Sequence, residues 1–144
     1  MQDCWIYQGQ CLETPPEGVY GFIYKITDNT GKVYFGKKAF EHNHKKAISK
    51  RARKESGTRK RVEKVKKDSG WLNYYGSSKP FLEYLDEFPN RRNMCKREVL
   101  RFCKDKASLS YWEMVIMVRE NVLFRDDCWN GNISGKYFKG KIHL

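Results

Sequence analysis

The chain has 144 residues, of which 40% are hydrophobic and 15% aromatic, and carries a net charge of +12. That content supports one folded domain with a real core. No run is long enough to span a membrane, and Met1-Gln2-Asp3-Cys4-Trp5 lacks the basic start and apolar stretch of a signal peptide, so a soluble cytoplasmic protein is expected. Residues 1–18 are polar and aromatic, end in Thr14-Pro15-Pro16-Glu17-Gly18, and read as an N-terminal arm. Residues 20–36 read as a β-hairpin. Residues 40–69 form a basic insert expected to make one or two exposed helical pieces. Trp71-Leu72-Asn73-Tyr74-Tyr75-Gly76-Ser77-Ser78 is an aromatic turn ending in helix-capping residues. Pro80, Phe81, Leu82, Leu85 and Phe88 make a short helix stopped by Pro89. Arg97 to Cys103 reads as a strand, Ser108 as the cap of a helix over 109–120, and the tail from Val122 as extended chain.

Cysteines stand at 4, 11, 95, 103 and 128. An odd number without a secretion signal argues against a disulfide framework and for small buried thiols. No Cys-x-x-Cys pair exists, and His42, His44 and His143 complete no zinc spacing.

The hairpin is the most informative segment. Its arms, Gly21-Phe22-Ile23-Tyr24-Lys25-Ile26-Thr27 and Lys32-Val33-Tyr34-Phe35-Gly36-Lys37-Lys38, are rich in β-branched and aromatic residues. Between them, glycine at position 31 favours a three-residue loop with a left-handed third residue. Asp28 then pairs with Lys32, and paired positions sum to 60. In that register Tyr24 and Tyr34 share one face; a two-residue loop would put them on opposite faces.

The excess charge is local. Twelve of the basic residues lie between 45 and 67 (Lys45, Lys46, Lys50, Arg51, Arg53, Lys54, Arg59, Lys60, Arg61, Lys64, Lys66 and Lys67), against two acids, Glu55 and Glu63. This is the footprint of a polyanion binder. Trp71, just beyond, is a candidate stacking residue for nucleic acid.

Glu113 stands among Trp112, Met114, Val115, Ile116, Met117 and Val118. Apolar residues on nearly every side predict a buried helix, in which a carboxylate must be paired or bound to a cation. Two readings stay open: a salt bridge to Arg119 or to a lysine of the sheet, and a ligand for a hard divalent cation.

The chain resembles the GIY-YIG nuclease family. Phe22-Ile23-Tyr24 stands for the GIY element and Tyr34-Phe35-Gly36 for the YIG element. A helical region, a strand, a helix bearing one glutamate, and Trp129-Asn130 follow in the family's order. The run at 71–78 is similar to a segment of phage and mobile-element members. The resemblance implies an α/β (α+β) fold with a small central sheet of about three strands, including the antiparallel hairpin, flanked by helices. It implies a single domain over 1–144 that hydrolyses phosphodiester bonds of double-stranded DNA with Mg2+ or Mn2+, in a homing, restriction, repair or phage setting. Tyr24, Tyr34, Glu113 and Asn130 map onto the family's catalytic positions, with Glu113 as metal ligand and Asn132 as a near alternative to Asn130. The family's helix arginine has no clean counterpart. Lys38 or Lys37 stands in its place, Arg51 or Arg53 can reach in, and His42 and His44 are candidates for the family's histidine. A homodimer would supply two active sites for two strands, and no organic cofactor or membrane partner is implied. The second reading is a non-catalytic nucleic-acid binder that uses the 45–67 insert with the aromatic residues of 71–75.

Overall fold

The computed structural model describes residues 3–143. Trp5–Tyr7 (β1) and Gln10–Leu12 (β2) form a first hairpin, and Gly21–Thr27 (β3) and Val33–Ala39 (β4) a second. Glu41–Ala47 (β5), Lys50–Ser56 (α1) and Val62–Asp68 (β6) make up the basic insert. Lys79–Asp86 (α2), Lys96–Cys103 (β7), Lys106–Arg119 (α3), Asn132–Ile133 (β8) and Tyr137–Phe138 (β9) complete the order.

The central sheet runs β2-β1-β7-β3-β4. It has five strands rather than the three expected, because the N-terminal residues are part of it. β1 pairs antiparallel with β2 and parallel with β7. Gln8 and Gly9 both take positive φ, the requirement of a tight two-residue hairpin turn, and so fold the supposed arm back on itself. The same hairpin brings Cys4 and Cys11 within 5.8 Å between α-carbons, and they form a disulfide. The expectation of five reduced thiols is therefore corrected for this pair, while Cys95, Cys103 and Cys128 are buried and free.

The second hairpin has the register read from Gly31. Tyr24 faces Gly36, Ile26 faces Tyr34 and Thr27 faces Val33. Gly31 has φ +92°, and its N–H donates to the Asp28 carbonyl at 3.1 Å. Asp28 locks the loop: its Oδ1 accepts from the Thr30 N–H at 2.8 Å, the Thr30 hydroxyl at 2.6 Å and the Lys32 N–H at 3.0 Å.

Both faces of β3 are covered, which explains its near-continuous apolar run. The even-numbered face packs Phe22, Tyr24, Ile26 and Tyr34 against Trp5, Phe40, Trp71, and Phe81 and Leu85 of α2. The odd-numbered face packs Ile23 against Leu109, and Val33 and Phe35 against Met117, all under α3. Trp71, expected as a stacking residue for nucleic acid, is instead part of the core. It is 2% exposed, stands edge-on to Phe40, and accepts a 2.6 Å hydrogen bond from the Trp5 indole at its carbonyl. A residue sealed between two other rings has no face to offer a base.

α3 also differs from expectation. Its cap is Asp105, which accepts from the Ser108 N–H, and the helix starts at Lys106. It is not buried all round, since Tyr111, Met114 and Val118 face outward. The insert is mostly strand. β5 and β6 pair over seven positions, and only α1, capped by Ser49 and ended at Gly57, is helical. With few apolar residues the segment satisfies its backbone by pairing with itself instead of packing on the body.

Candidate active site

Tyr24 and Tyr34 share the even face, with ring centroids 6.1 Å apart. Tyr24 is 1% exposed and Tyr34 8%. Glycines at two places let these rings in. A Cβ on Gly36, directly opposite Tyr24, would collide with the Tyr24 hydroxyl. One on Gly76 would stand 2.6 Å from the Tyr34 ring, and Gly76 also needs its φ of +95°. Gly36 is the glycine of the YIG element, and its reason is steric.

Burial pushes the Tyr24 phenol well above its ordinary value, with Tyr34, Tyr74, a hydrogen bond to Tyr74, and Glu113 adding to the rise. Burial raises Tyr34 as well, partly offset by a hydrogen bond with Ser77, whose Oγ lies 3.3 Å away. Both phenols are therefore neutral donors in the protein alone.

The two lysines after the YIG element part company, as strand alternation requires. Lys38 is on the tyrosine face, its ammonium 4.1 Å above the Tyr74 ring. Burial lowers its pKa against the opposing pull of Asp68. Lys37 is on the α3 face, 3.0 Å from the Ser110 hydroxyl and 3.9 Å from Glu113 Oε1. Of the two readings of Glu113, a sheet lysine is thus its neighbour. The contact is loose and leaves the carboxylate 18% exposed. Burial raises the Glu113 pKa, with the Lys37 ammonium and the Lys37 backbone N–H pulling it back.

Glu113 and the tyrosines thus start from opposite faces of the sheet. They meet because β4 is the edge strand. A cleft of about 360 Å3 wraps around that edge, lined by Tyr34, Ser77, Lys79, Glu113, Asn130 and Asn132 among others. Tyr24 lies one ring deeper. Asn130 holds the edge itself: its Oδ1 accepts from the Phe35 N–H at 2.9 Å and its Nδ2 donates to the Phe35 carbonyl at 2.8 Å. With both ends of its amide so engaged and only 3% exposure, Asn130 positions β4. Asn132 is exposed on β8 and its side chain accepts from the Gly135 N–H.

His42 and His44 lie on β5, outside this cleft; His42 lines a separate hollow with Tyr20 and Lys104. Arg51 and Arg53 lie on α1 at the far end of the insert. Lys79, in the first turn of α2, is a cleft residue that the sequence reading passed over. Its signal was Ser78, whose hydroxyl caps the helix and so fixes where position 79 falls.

A family model described as "Putative endonuclease segE, GIY-YIG domain" matches residues 5–142. The chain belongs to the GIY-YIG endonuclease family. Such a domain supports nuclease activity on DNA. No curated protein and no solved structure gives a significant match. Among the described residues no helix is long and apolar enough to cross a membrane.

The pairing of Lys37 with Glu113 has a testable electrostatic consequence. Lys37→Met removes the charge that pulls the Glu113 pKa down, so the carboxyl carbon should titrate at higher pH than in the wild type when followed by NMR. Because burial makes the charged form costly, this group destabilises the fold at high pH. The penalty is absent below the unfolded glutamate pKa and complete above the raised folded one. An unchanged or lower midpoint in the variant would show that Lys37 does not act on Glu113.

Proposed function

We propose that this GIY-YIG protein is a metal-dependent endonuclease that hydrolyses phosphodiester bonds of double-stranded DNA, in a phage or mobile-element setting. The observation that carries the reading is the meeting of Tyr34 and Glu113 in one cleft at the edge of the sheet. The setting is supported by the 71–78 run.

Glu113 fits a hard divalent cation. It is a single, largely buried carboxylate at an open cleft, and among the described residues no three His, Cys, Asp or Glu converge. That donor set suits Mg2+ or Mn2+, which keep most of their water shell. When bound, such an ion would neutralise charge on the non-bridging oxygens and on the leaving 3′ oxygen.

The chain's own residues supply the rest. Tyr34 presents a neutral hydroxyl to the phosphate or to the attacking water, and accepts a proton only when positive charge beside it lowers its pKa. Tyr24 supports Tyr34 from below. Lys79 and Lys38 are the cations closest in role to the missing arginine, one in the cleft and one beside Tyr74. Asn130 keeps β4 in place. Residues 45–67 hold the DNA backbone. We read residues 1–144 as one nuclease domain with that segment as its accessory. Cutting both strands takes a second copy or a second visit by the same cleft.

The non-catalytic alternative loses two of its three stacking residues, because Trp71 and Tyr75 are buried at 2% and 6% and only Tyr74 is half-buried. Purified protein incubated with supercoiled plasmid should produce relaxed and linear forms with Mg2+ and neither with EDTA. Intact plasmid in both would return the protein to the binding class.

A further inference from the structure

We propose that β5, α1 and β6 form an arm that enters the major groove of duplex DNA, leading with the face that carries Asn43, Lys45, Lys64 and Lys66 and seating a backbone phosphate at its tip. The proposal rests on DNA being the substrate and adds how it is gripped.

Every residue of the two seven-residue strands is exposed. At about 3.4 Å per residue the ribbon is about 24 Å long. Directly opposed residues share a face, so the register sorts the side chains. One face opposes Asn43 to Lys66 and Lys45 to Lys64. The other opposes His44 to Val65 and Lys46 to Glu63. The second face also opposes His42 to Lys67, and there Glu63 offsets one of its two lysines. The first sets two ammonium groups against each other, which destabilises the free ribbon and is relieved by an anion lying along it. Its acids, Glu41 and Asp68, are confined to the root, where Asp68 accepts from the Gly70 N–H at 2.7 Å. From Asn43 outward this face carries no acid.

The shape selects the groove. Two paired strands about 4.8 Å apart, with their side chains, fit a major groove about 12 Å wide and not a minor groove about 6 Å wide. The Asn43 amide is a group that reads base edges there, while the lysines around it reach the phosphates that flank the groove. The tip adds an anchor. Lys50, Arg53, Lys54, Thr58, Arg59 and Arg61 surround an open hollow of about 620 Å3 with no acid in its lining. Arg53 Nε is buried there without a hydrogen-bond partner among the described residues. A buried guanidinium donor lacking an acceptor is a costly arrangement, and a phosphate oxygen in the hollow would complete it.

Binding is measured by fluorescence anisotropy with full-length protein carrying Glu113→Gln in EDTA, so that turnover plays no part. The probes are a 30-base-pair duplex and its single strand over a salt series. Replacing Lys45, Lys64 and Lys66 together by alanine should lower the slope of log affinity against log salt by about 2 to 3, at about 0.9 for each phosphate neutralised. Replacing Lys46 and Lys67, on the other face, should lower it by less than about 1. Replacing Arg53, Arg59 and Arg61 tests the tip in the same way. Methylating guanine N7 with dimethyl sulfate should abolish duplex binding, and netropsin in the minor groove should not compete. Equal losses from both faces would overturn the oriented ribbon. Competition by netropsin, indifference to N7 methylation, or equal affinity for the single strand would overturn major-groove entry. Plasmid cleavage by protein with Glu113 intact is scored separately: its absence beside the expected binding pattern counts against the nuclease reading and leaves the arm in place.

Discussion

Glu113→Gln is expected to abolish cation-dependent cleavage while the protein remains folded and bound to DNA. Glutamine keeps the shape of the side chain and can still accept the Lys37 backbone N–H through its amide oxygen. It removes only the charge. Burial already disfavours that charge, as the raised pKa shows, so losing it should leave the melting temperature unchanged or slightly higher. Catalysis should suffer far more. Charge stabilisation by a bound cation is worth several kcal/mol, and each 1.36 kcal/mol is a factor of ten, so a rate loss of about 10^3 is expected. Single-turnover cleavage of a labelled duplex, read beside thermal unfolding and anisotropy, separates the three quantities. Wild-type cleavage by the variant would end the assignment of Glu113 to the cation.

The second large effect is expected from the hairpin tyrosines. Tyr34→Phe keeps a ring stacked on Phe81 at 5.9 Å and packed against Tyr24. It gives up the 3.3 Å contact with the Ser77 hydroxyl and a backbone hydrogen bond from Ser77. Each hydroxyl interaction of that kind contributes about 0.5–1.5 kcal/mol to stability. Loss of a positioned proton donor and acceptor costs about 10^2 to 10^4 in rate. Tyr24→Phe should likewise impair cleavage more than folding, acting through the hydrogen bond to Tyr74 and the support given to Tyr34. Cleavage at the wild-type rate by both variants would remove the hairpin from the chemistry.

Local rules made the hairpin legible. Gly31 set the loop, the loop set the register, and the register put Tyr24 and Tyr34 on one face. The same parity separates Lys38, beside the tyrosines, from Lys37, beside Glu113. Non-local facts were harder to read. Trp5 and Ile6 give no sign that they pair with Arg97 and Glu98 some ninety residues later, although Gln8-Gly9 marks a turn. The strands of the arm carry no period-two apolar pattern, because neither face is covered. Glu113 was expected in an all-apolar helix, yet Tyr111, Met114 and Val118 face outward. It sits at the boundary only because β4 ends the sheet. Gly36 and Gly76 make sense once the rings that cross them are seen.

The root of the arm has one more consequence. The Ser69 N–H donates to the Phe40 carbonyl at 3.0 Å, and the Ser69 hydroxyl donates to the Ala39 carbonyl at 2.5 Å. The chain therefore leaves the body and returns to it at nearly the same point. Whatever lies between residues 41 and 68 hangs from a closed neck and contributes nothing to the core. Such a segment is a cassette: it can be shortened, swapped or rewritten over evolutionary time, or by an engineer, at little cost to the framework beneath. The preferred target can then drift rapidly while the bond-breaking apparatus stays fixed.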